Sequence, residues 1–421
     1  MNTISNEVKE QIKAEFLSIK KVDDLYDIII GVLKFHNLPR VSRKQFAVCI
    51  RSLNIRYKKF VIKKKSGGER IINAPIGPLM LVQKALKFIM SLFFETHHKA
   101  MGFVEEKSVV DNAHLHIGKN YVYNIDLKDF FHSVERWQVK HLFMRKPFYF
   151  TDEREDVAFT IANLCTFLVE TDGVKKVVLP QGAPTSPILT NILCKRMDFA
   201  LDKLAKKHKA TYSRYADDIT FSSNKSVFKN PDFLKELEEI IVRNGFCTNT
   251  QKTRLQKKNA RQEVTGITVN EKLNTARKYV KQIRMWLYLI EKYGVQKSEG
   301  IFRRDYIREK GHTKYQGNPM FNVIEGKLLY LKMVKGEGDN SYQKLAQRFD
   351  KIREFDVDKI LKIWEENGME EAQELFASTK IIPRRKKRKV TNKKWISYRR
   401  KVVFTISRGT LSKKQLIVDR D

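Results

Sequence analysis

The chain has 421 residues, 82 Lys and Arg against 48 Asp and Glu for a net charge of +34, and 42% apolar residues. That apolar share excludes an intrinsically disordered chain, the length corresponds to roughly two to four folded units, and the positive excess calls for a polyanionic partner, nucleic acid or an anionic membrane surface. No apolar run approaches the ~18–20 residues that cross a bilayer, and Cys49, Cys165, Cys194 and Cys247 lie far apart with no CxxC pair, which excludes a zinc ribbon and a disulfide framework.

From Glu7 to about Lys34, Ile12, Phe16, Ile19, Leu25, Ile28, Ile29, Val32 and Leu33 recur at mostly helical spacing, which predicts helices. A basic strand pair follows: Ile55 to Ile62, a turn from Lys63 to Gly68 that includes Lys64 and Lys65, and Arg70-Ile71-Ile72 running into Pro75. Gly77 to Phe94 reads as helical, and Tyr121 to Ile125 as a short strand that delivers Asp126 to a cleft. Leu179 to Pro187 holds three prolines and a glycine and must be a loop. Ser186 and Pro187 fit an N-cap and first residue of the helix it opens, with Ile188, Leu189, Ile192 and Leu193 on the buried face.

Thr211 to Ser222 has two β-prone arms around Ala216-Asp217-Asp218, which predicts a tight hairpin with acids at its tip. After Gly266 a helix is predicted from Thr275 to Tyr293. Tyr279, Ile283, Trp286, Leu287 and Ile290 form its apolar stripe, and Gly294 ends it. A second helical unit covers roughly Asn322 to Phe355. Beyond about Asp356 the chain turns basic: eleven of the eighteen residues from Arg384 to Lys401 are Lys or Arg, with Trp395 and Tyr398 interleaved. That mixture suits counterion release together with base stacking.

Asp126 at a strand end and Asp217-Asp218 in a hairpin carry the chemistry. Nucleotidyl transfer uses two divalent cations about 3.5–4 Å apart, and carboxylates from two strands can bridge them. An acid at a strand end, or an Asp-Asp turn, is by itself commonly just solvated. The ordered set of Asp126, LPQGAPTSP and Tyr215-Ala216-Asp217-Asp218 is what gives the pattern meaning.

In that set, from about Ile55 to Phe349, the chain resembles the reverse transcriptases, most closely the bacterial retron-type and defence-associated branch. Asn112-Ala113-His114-Leu115-His116 fits the NAxxH element and Val264-Thr265-Gly266 the VTG element of that branch, and Ala100, Gly102, Phe103 and Ser108 are also similar to it. The resemblance implies an α+β right-hand polymerase. A helical N-terminal region with fingers would occupy 1–100, an antiparallel-sheet palm with inserted finger elements 101–270, a helical thumb 271–356 and a basic C-terminal extension 357–421.

It also implies roles. Asp126 and Asp217 would be the main ligands of two Mg2+ ions, which Mn2+ could replace, with Asp218 weaker and the Leu127 carbonyl assisting. Phe131 would gate the ribose 2′ position, and Gln181 and Gly182 would lie under the incoming nucleotide. Lys64, Lys65 and Arg70 would hold its phosphates, with Lys252 as general acid for the leaving pyrophosphate. Asn112, His116, Arg277, Lys281, Arg284, Arg384, Arg385, Lys386, Lys387, Arg388, Trp395 and Tyr398 would bind nucleic acid. The bland readings are that Phe130 and Phe131 both pack in the core, that the lysines and thumb cations solvate their elements, and that His116 is structural.

The implied activity is DNA synthesis on a dedicated non-coding RNA from dNTPs, in an antiphage system with an effector protein, in the bacterial cytoplasm and away from membranes. The N-terminal MNTISNEVKEQIK has charges where a signal peptide needs its apolar stretch, which fits that location. A group II intron maturase is the nearest alternative, although the Cys or His metal sites of its endonuclease have no counterpart here. A template-free, protein-primed relative and a non-catalytic nucleic-acid-binding protein on the same fold are the others.

Overall fold

The structure is a computed structural model that describes residues 5–51, 54, 56–63, 68–171, 173–310 and 320–371. Lys64, Lys65 and the expected nucleic-acid contacts Arg384, Arg385, Lys386, Lys387, Arg388, Trp395 and Tyr398 lie outside these residues. The described chain falls into two units, one of residues 5–108 and 121–255, the other of 109–120 and 256–371.

The first unit begins with α1 (Asn6–Leu17), α2 (Val22–Phe35) and α3 (Arg43–Arg51). Ser5 caps α1 by accepting from Val8 N, and Asp24 folds back to accept from the Lys20 and Lys21 amides at the start of α2. The expected stripe of Ile12, Phe16, Leu25, Ile29, Val32 and Leu33 is buried in the unit's core. The predicted basic hairpin forms as β1 (Tyr57–Lys63) and β2 (Glu69–Pro75), antiparallel with Ile62 opposite Arg70. Next comes α4 (Pro78–Phe93), the helix predicted from Gly77 to Phe94.

In the second unit α5 (Val109–His114) follows; the first resumes with β3 (Tyr121–Asp126), α6 (Arg136–Phe143), α7 (Glu155–Cys165), β4 (Phe167–Thr171) and β5 (Val174–Val178). The loop Leu179 to Pro187 opens α8 (Ser186–Lys207) as expected. Its cap differs from the expected one. Thr185 is the N-cap and Ser186 is already helical; the Ser186 hydroxyl caps no amide but donates to the Pro180 carbonyl at 2.7 Å. β6 (Thr211–Tyr215) and β7 (Asp218–Ser223) make the predicted acid-tipped hairpin, followed by α9 (Pro231–Arg243) and β8 (Arg254–Lys257). Four strands form one sheet in the order β6-β7-β3-β8, with β3 antiparallel to β7.

The second unit contains β9 (Glu263–Val264) and β10 (Ile267–Thr268), joined by Thr265 and Gly266, both with positive φ. It continues with α10 (Arg277–Lys310), α11 (Met320–Lys335) and α12 (Asn340–Asn367). Gly294 breaks α10 with φ 74° and ψ 167°, where the sequence placed the helix end. The helical unit expected from Asn322 to Phe355 is two helices: Gly336, at φ 85°, ends α11, and the Asp339 carboxylate caps α12 by accepting from Ser341 N and Tyr342 N. Ile283, Trp286, Leu287 and Ile290 pack with Phe302, Ile324, Leu331 and Phe349 in a separate core. Residues 109–120 and 256–270 group with these helices.

Candidate active site

Strand register brings the acids together. Asp126, the last residue of β3, stands opposite Asp218, the first of β7, and Tyr215 faces Asp218 across the two-residue turn Ala216-Asp217. Ala216 takes the left-handed conformation, φ 57°, that such a turn demands. The Asp217 carbonyl accepts from Leu127 N at 3.0 Å, so the turn is also tied to the end of β3. On the other side Asn249 donates twice to Asp126, from its backbone N to the carbonyl at 2.7 Å and from Nδ2 to Oδ2 at 3.1 Å. Lys252 Nζ lies 2.9 Å from both carboxylate oxygens of Asp126. Sequence reasoning singled out Lys252 but missed Asn249, three residues earlier.

Burial and crowding raise two of these carboxyls. Burial, then the neighbouring Asp126 charge, lifts the Asp217 carboxyl, against the fields of Arg70 and Lys252. The protein packed around Asp218, together with Asp217 and Asp126, pushes its carboxyl up to about 6, although its outer side chain still meets water, which tempers the shift. Among the described residues, the cation directly on Asp126 is a flexible lysine, Lys252. All-oxygen donors on rigid strand ends, short of compensating charge, suit hard divalent cations. A different ligand-type cluster, His97, His98 and Asp202, is already satisfied in part, since Lys206 holds Asp202 at 2.7 Å.

The groups expected around an incoming nucleotide belong to the same unit. Arg70 is exposed on β2, and its charge reaches Asp217. The Gln181 carbonyl accepts from Asn73 N at 2.8 Å, which joins the loop before α8 to the hairpin. Gly182 has φ +117°, and a Cβ there would stand 2.6 Å from Ile72 Cγ2. Glycine is required both for backbone freedom and for space. Gly182→Ala should therefore lower the melting temperature by an amount matching ~1–3 kcal/mol of strain and raise the KM for nucleotide. An unchanged melting curve and KM would show that the loop does not depend on this contact.

Phe130 is buried and stacks on Phe246 with centroids 5.4 Å apart, whereas Phe131 is half-buried between Phe130 and Phe103. One phenylalanine is core, and the other keeps a face outside it.

In the second unit Asn112 and His116, expected to contact nucleic acid, are fully buried. The Asn112 amide donates to Thr265 Oγ1 at 3.4 Å, and Thr265 Oγ1 donates to the Val109 carbonyl at 3.3 Å. The NAxxH and VTG elements therefore meet in one joint, and neither buried side chain faces solvent. Arg277, Lys281 and Arg284 are exposed at helical spacing along α10. Tyr288, half-exposed one turn further on, continues their face. Sequence reasoning missed it, though its position four residues after Arg284 was the available signal.

Residues 62–269 match the family model described as "Reverse transcriptase (RNA-dependent DNA polymerase)". The chain is 33% identical to the Retron Mx65 reverse transcriptase of Myxococcus xanthus over 62% of this chain and 60% of that one. It is 34% identical to the Retron Mx162 reverse transcriptase of the same organism over 51% and 47%. It is 31% identical to the Retron Ec86 reverse transcriptase of Escherichia coli over 66% of this chain and 83% of that one. The chain thus spans about half to three fifths of the length of the two Myxococcus relatives and most of the Escherichia one. It belongs to the retron reverse transcriptase family.

Proposed function

We propose that this chain is an RNA-directed DNA polymerase that copies a dedicated non-coding RNA into DNA within a bacterial, cytoplasmic antiphage system that includes an effector protein. The observation that carries this reading is the convergence of Asp126, Asp217 and Asp218 at adjoining strand ends, with the charge of Arg70 reaching the central acid.

Asp126 and Asp217, with Asp218 and the Leu127 carbonyl, would hold two Mg2+ ions, or Mn2+. Bound there, the metals lower the pKa of the attacking 3′-hydroxyl and neutralise the triphosphate. The rest falls to the protein. Arg70, assisted by Lys64 and Lys65, holds the β- and γ-phosphates through charge-assisted hydrogen bonds. Gln181 and Gly182 form the floor under the nucleotide, and the partly uncovered ring of Phe131 excludes a 2′-hydroxyl by contact. Lys252 delivers a proton to the leaving pyrophosphate, for which it must first leave the Asp126 carboxylate. Arg277, Lys281 and Arg284 follow the backbone of an A-form-like duplex. The basic segment from Arg384, with Trp395 and Tyr398, captures RNA.

Extension of a DNA primer annealed to RNA tests the reading. The expected result is dNTP incorporation that requires Mg2+ and stops with a chelator; binding of the duplex without extension would leave only a nucleic-acid-binding protein.

Two further outcomes follow. Phe131→Ala should raise ribonucleotide use relative to deoxyribonucleotide use, since the discrimination is a clash. An unchanged ratio in an active enzyme would assign Phe131 to packing alone. Metal binding should weaken as pH falls through about 6, because the Asp218 carboxyl holds its proton up to about that value and the proton competes with the cation. Calorimetry from about pH 7 to about pH 5 should show falling Mn2+ affinity with proton release on binding. Affinity that stays flat over that range would remove Asp218 from the site.

A further inference from the structure

Directly behind the acid-bearing turn lies a charge with no access to water. Arg214, next to last on β6, and Asp198 on α8 are both fully buried. All five N–H donors of the guanidinium are placed. Nε donates to Asp198 Oδ1 at 2.7 Å and Nη2 to Oδ2 at 2.8 Å, a planar fork on the carboxylate. Nη1 and Nη2 each donate to Asn191 Oδ1 at 3.2 Å. The remaining donor, on Nη1, reaches the carbonyl of Ala216 at 3.1 Å.

Ala216 is the left-handed residue of the turn and immediately precedes Asp217. The turn also packs closely against Gly102. A Cβ on Gly102 would stand 2.4 Å from Ala216 N, and Asn191 Nδ2 donates to the Gly102 carbonyl at 2.9 Å. The Arg214 backbone accepts from Met101 N at 2.7 Å and donates to Lys99 O at 3.0 Å. Arg214 therefore connects α8 and the turn through its side chain and the 99–102 segment through its backbone.

A buried ion pair is poor evidence of stability, since apolar residues of the same volume often serve as well or better. What an apolar pair cannot supply is a donor of fixed direction. Arginine's planar fork, oriented by a bidentate carboxylate and by Asn191, aims its last N–H at one carbonyl, which a lysine ammonium on a flexible stem does not do.

We propose that Arg214, oriented by Asp198 and Asn191, is a positioning residue that holds the Ala216 carbonyl and so sets how Asp217 and Asp218 face Asp126. It touches neither substrate nor metal. The inference rests on the polymerase reading only in what the acids are for; the placement of the acids is measured separately by metal binding without substrate.

The test compares the full chain with Arg214→Lys, which keeps the buried charge but loses the fork, and with Asn191→Ala, which leaves the Asp198–Arg214 pair intact. Tyr212→Phe is the control. It removes a buried bond to the same Asp198, 2.7 Å long, and leaves every bond from Arg214 to the turn in place. Three quantities are read: melting temperature, Mn2+ affinity by paramagnetic resonance in the absence of nucleic acid, and kcat and KM for primer extension.

Arg214→Lys and Asn191→Ala should each weaken Mn2+ binding about tenfold and lower kcat about ten- to a hundredfold, with KM for dNTP nearly constant, because a displacement on the order of 1 Å at reacting groups has effects of that size. Tyr212→Phe should lose melting temperature while keeping Mn2+ affinity and kcat. Wild-type Mn2+ affinity in folded Arg214→Lys, or in folded Asn191→Ala if the lysine variant does not fold, would overturn the proposal. So would a loss of affinity in Tyr212→Phe equal to theirs. A wild-type chain that binds Mn2+ but extends no primer would overturn the polymerase reading and leave the positioning role standing on the affinities.

Discussion

Asp126→Asn and Asp217→Asn should each reduce DNA synthesis on a primed RNA template by at least ~100-fold while the protein stays folded. Each substitution keeps the shape and one acceptor oxygen, turns the other oxygen into an amide donor, and removes one negative charge from a group of three near the Lys252 ammonium. The fold has little to lose. The Asp126–Lys252 pair has a half-exposed lysine, and such pairs contribute little to stability. Relieving repulsion among three neighbouring carboxylates should even offset part of that loss. Asp218→Asn should cost less, because its side chain is the most exposed of the three. Near-normal incorporation by either purified, folded Asp126 or Asp217 variant would remove these acids from the reaction.

Arg70→Ala should raise KM for dNTP by ~10–100-fold, the size expected when charge-assisted hydrogen bonds of ~1.5–3 kcal/mol to phosphate are lost. Arg70 lies on an exposed strand face opposite Ile62, so folding should be unaffected. Its charge also lowers the Asp217 carboxyl, so removing it should move the acidic limb of the rate profile to higher pH. Arg70→Lys should recover part of the KM and most of the pH shift, since it restores charge but not the fork. A KM within twofold of wild type would transfer the phosphate role to the neighbouring lysines.

Much of this site was legible because its signals are local. A strand that ends in Asp126, a hairpin with Tyr215-Ala216-Asp217-Asp218 at its tip and a proline-rich loop that opens a helix each announce themselves within a few residues. The apolar stripe of α10 was equally plain, and Gly294 marks its break. What could not be read depends on contacts between distant segments. Asn112 and Thr265 are 153 positions apart, so their pairing, and hence the burial of the NAxxH element, leaves no local trace. The space that Gly182 leaves for Ile72 on the opposing hairpin likewise leaves no local trace. Arg214 reads as one more cation of a basic chain, and only the fold shows it buried on Asp198. Asn249 was invisible because its partner Asp126 lies 123 positions earlier.

On the proposed function, this chain makes DNA on an RNA of its own in the cell. Purification from its native host, with and without Asp217→Asn, followed by separate RNase and DNase treatment and sequencing of the bound nucleic acid, tests it most directly. The expected result is one defined RNA on both proteins, joined to or paired with complementary DNA on the wild type alone. Equal DNA on both proteins, or a wild type that carries RNA and no DNA, would contradict it.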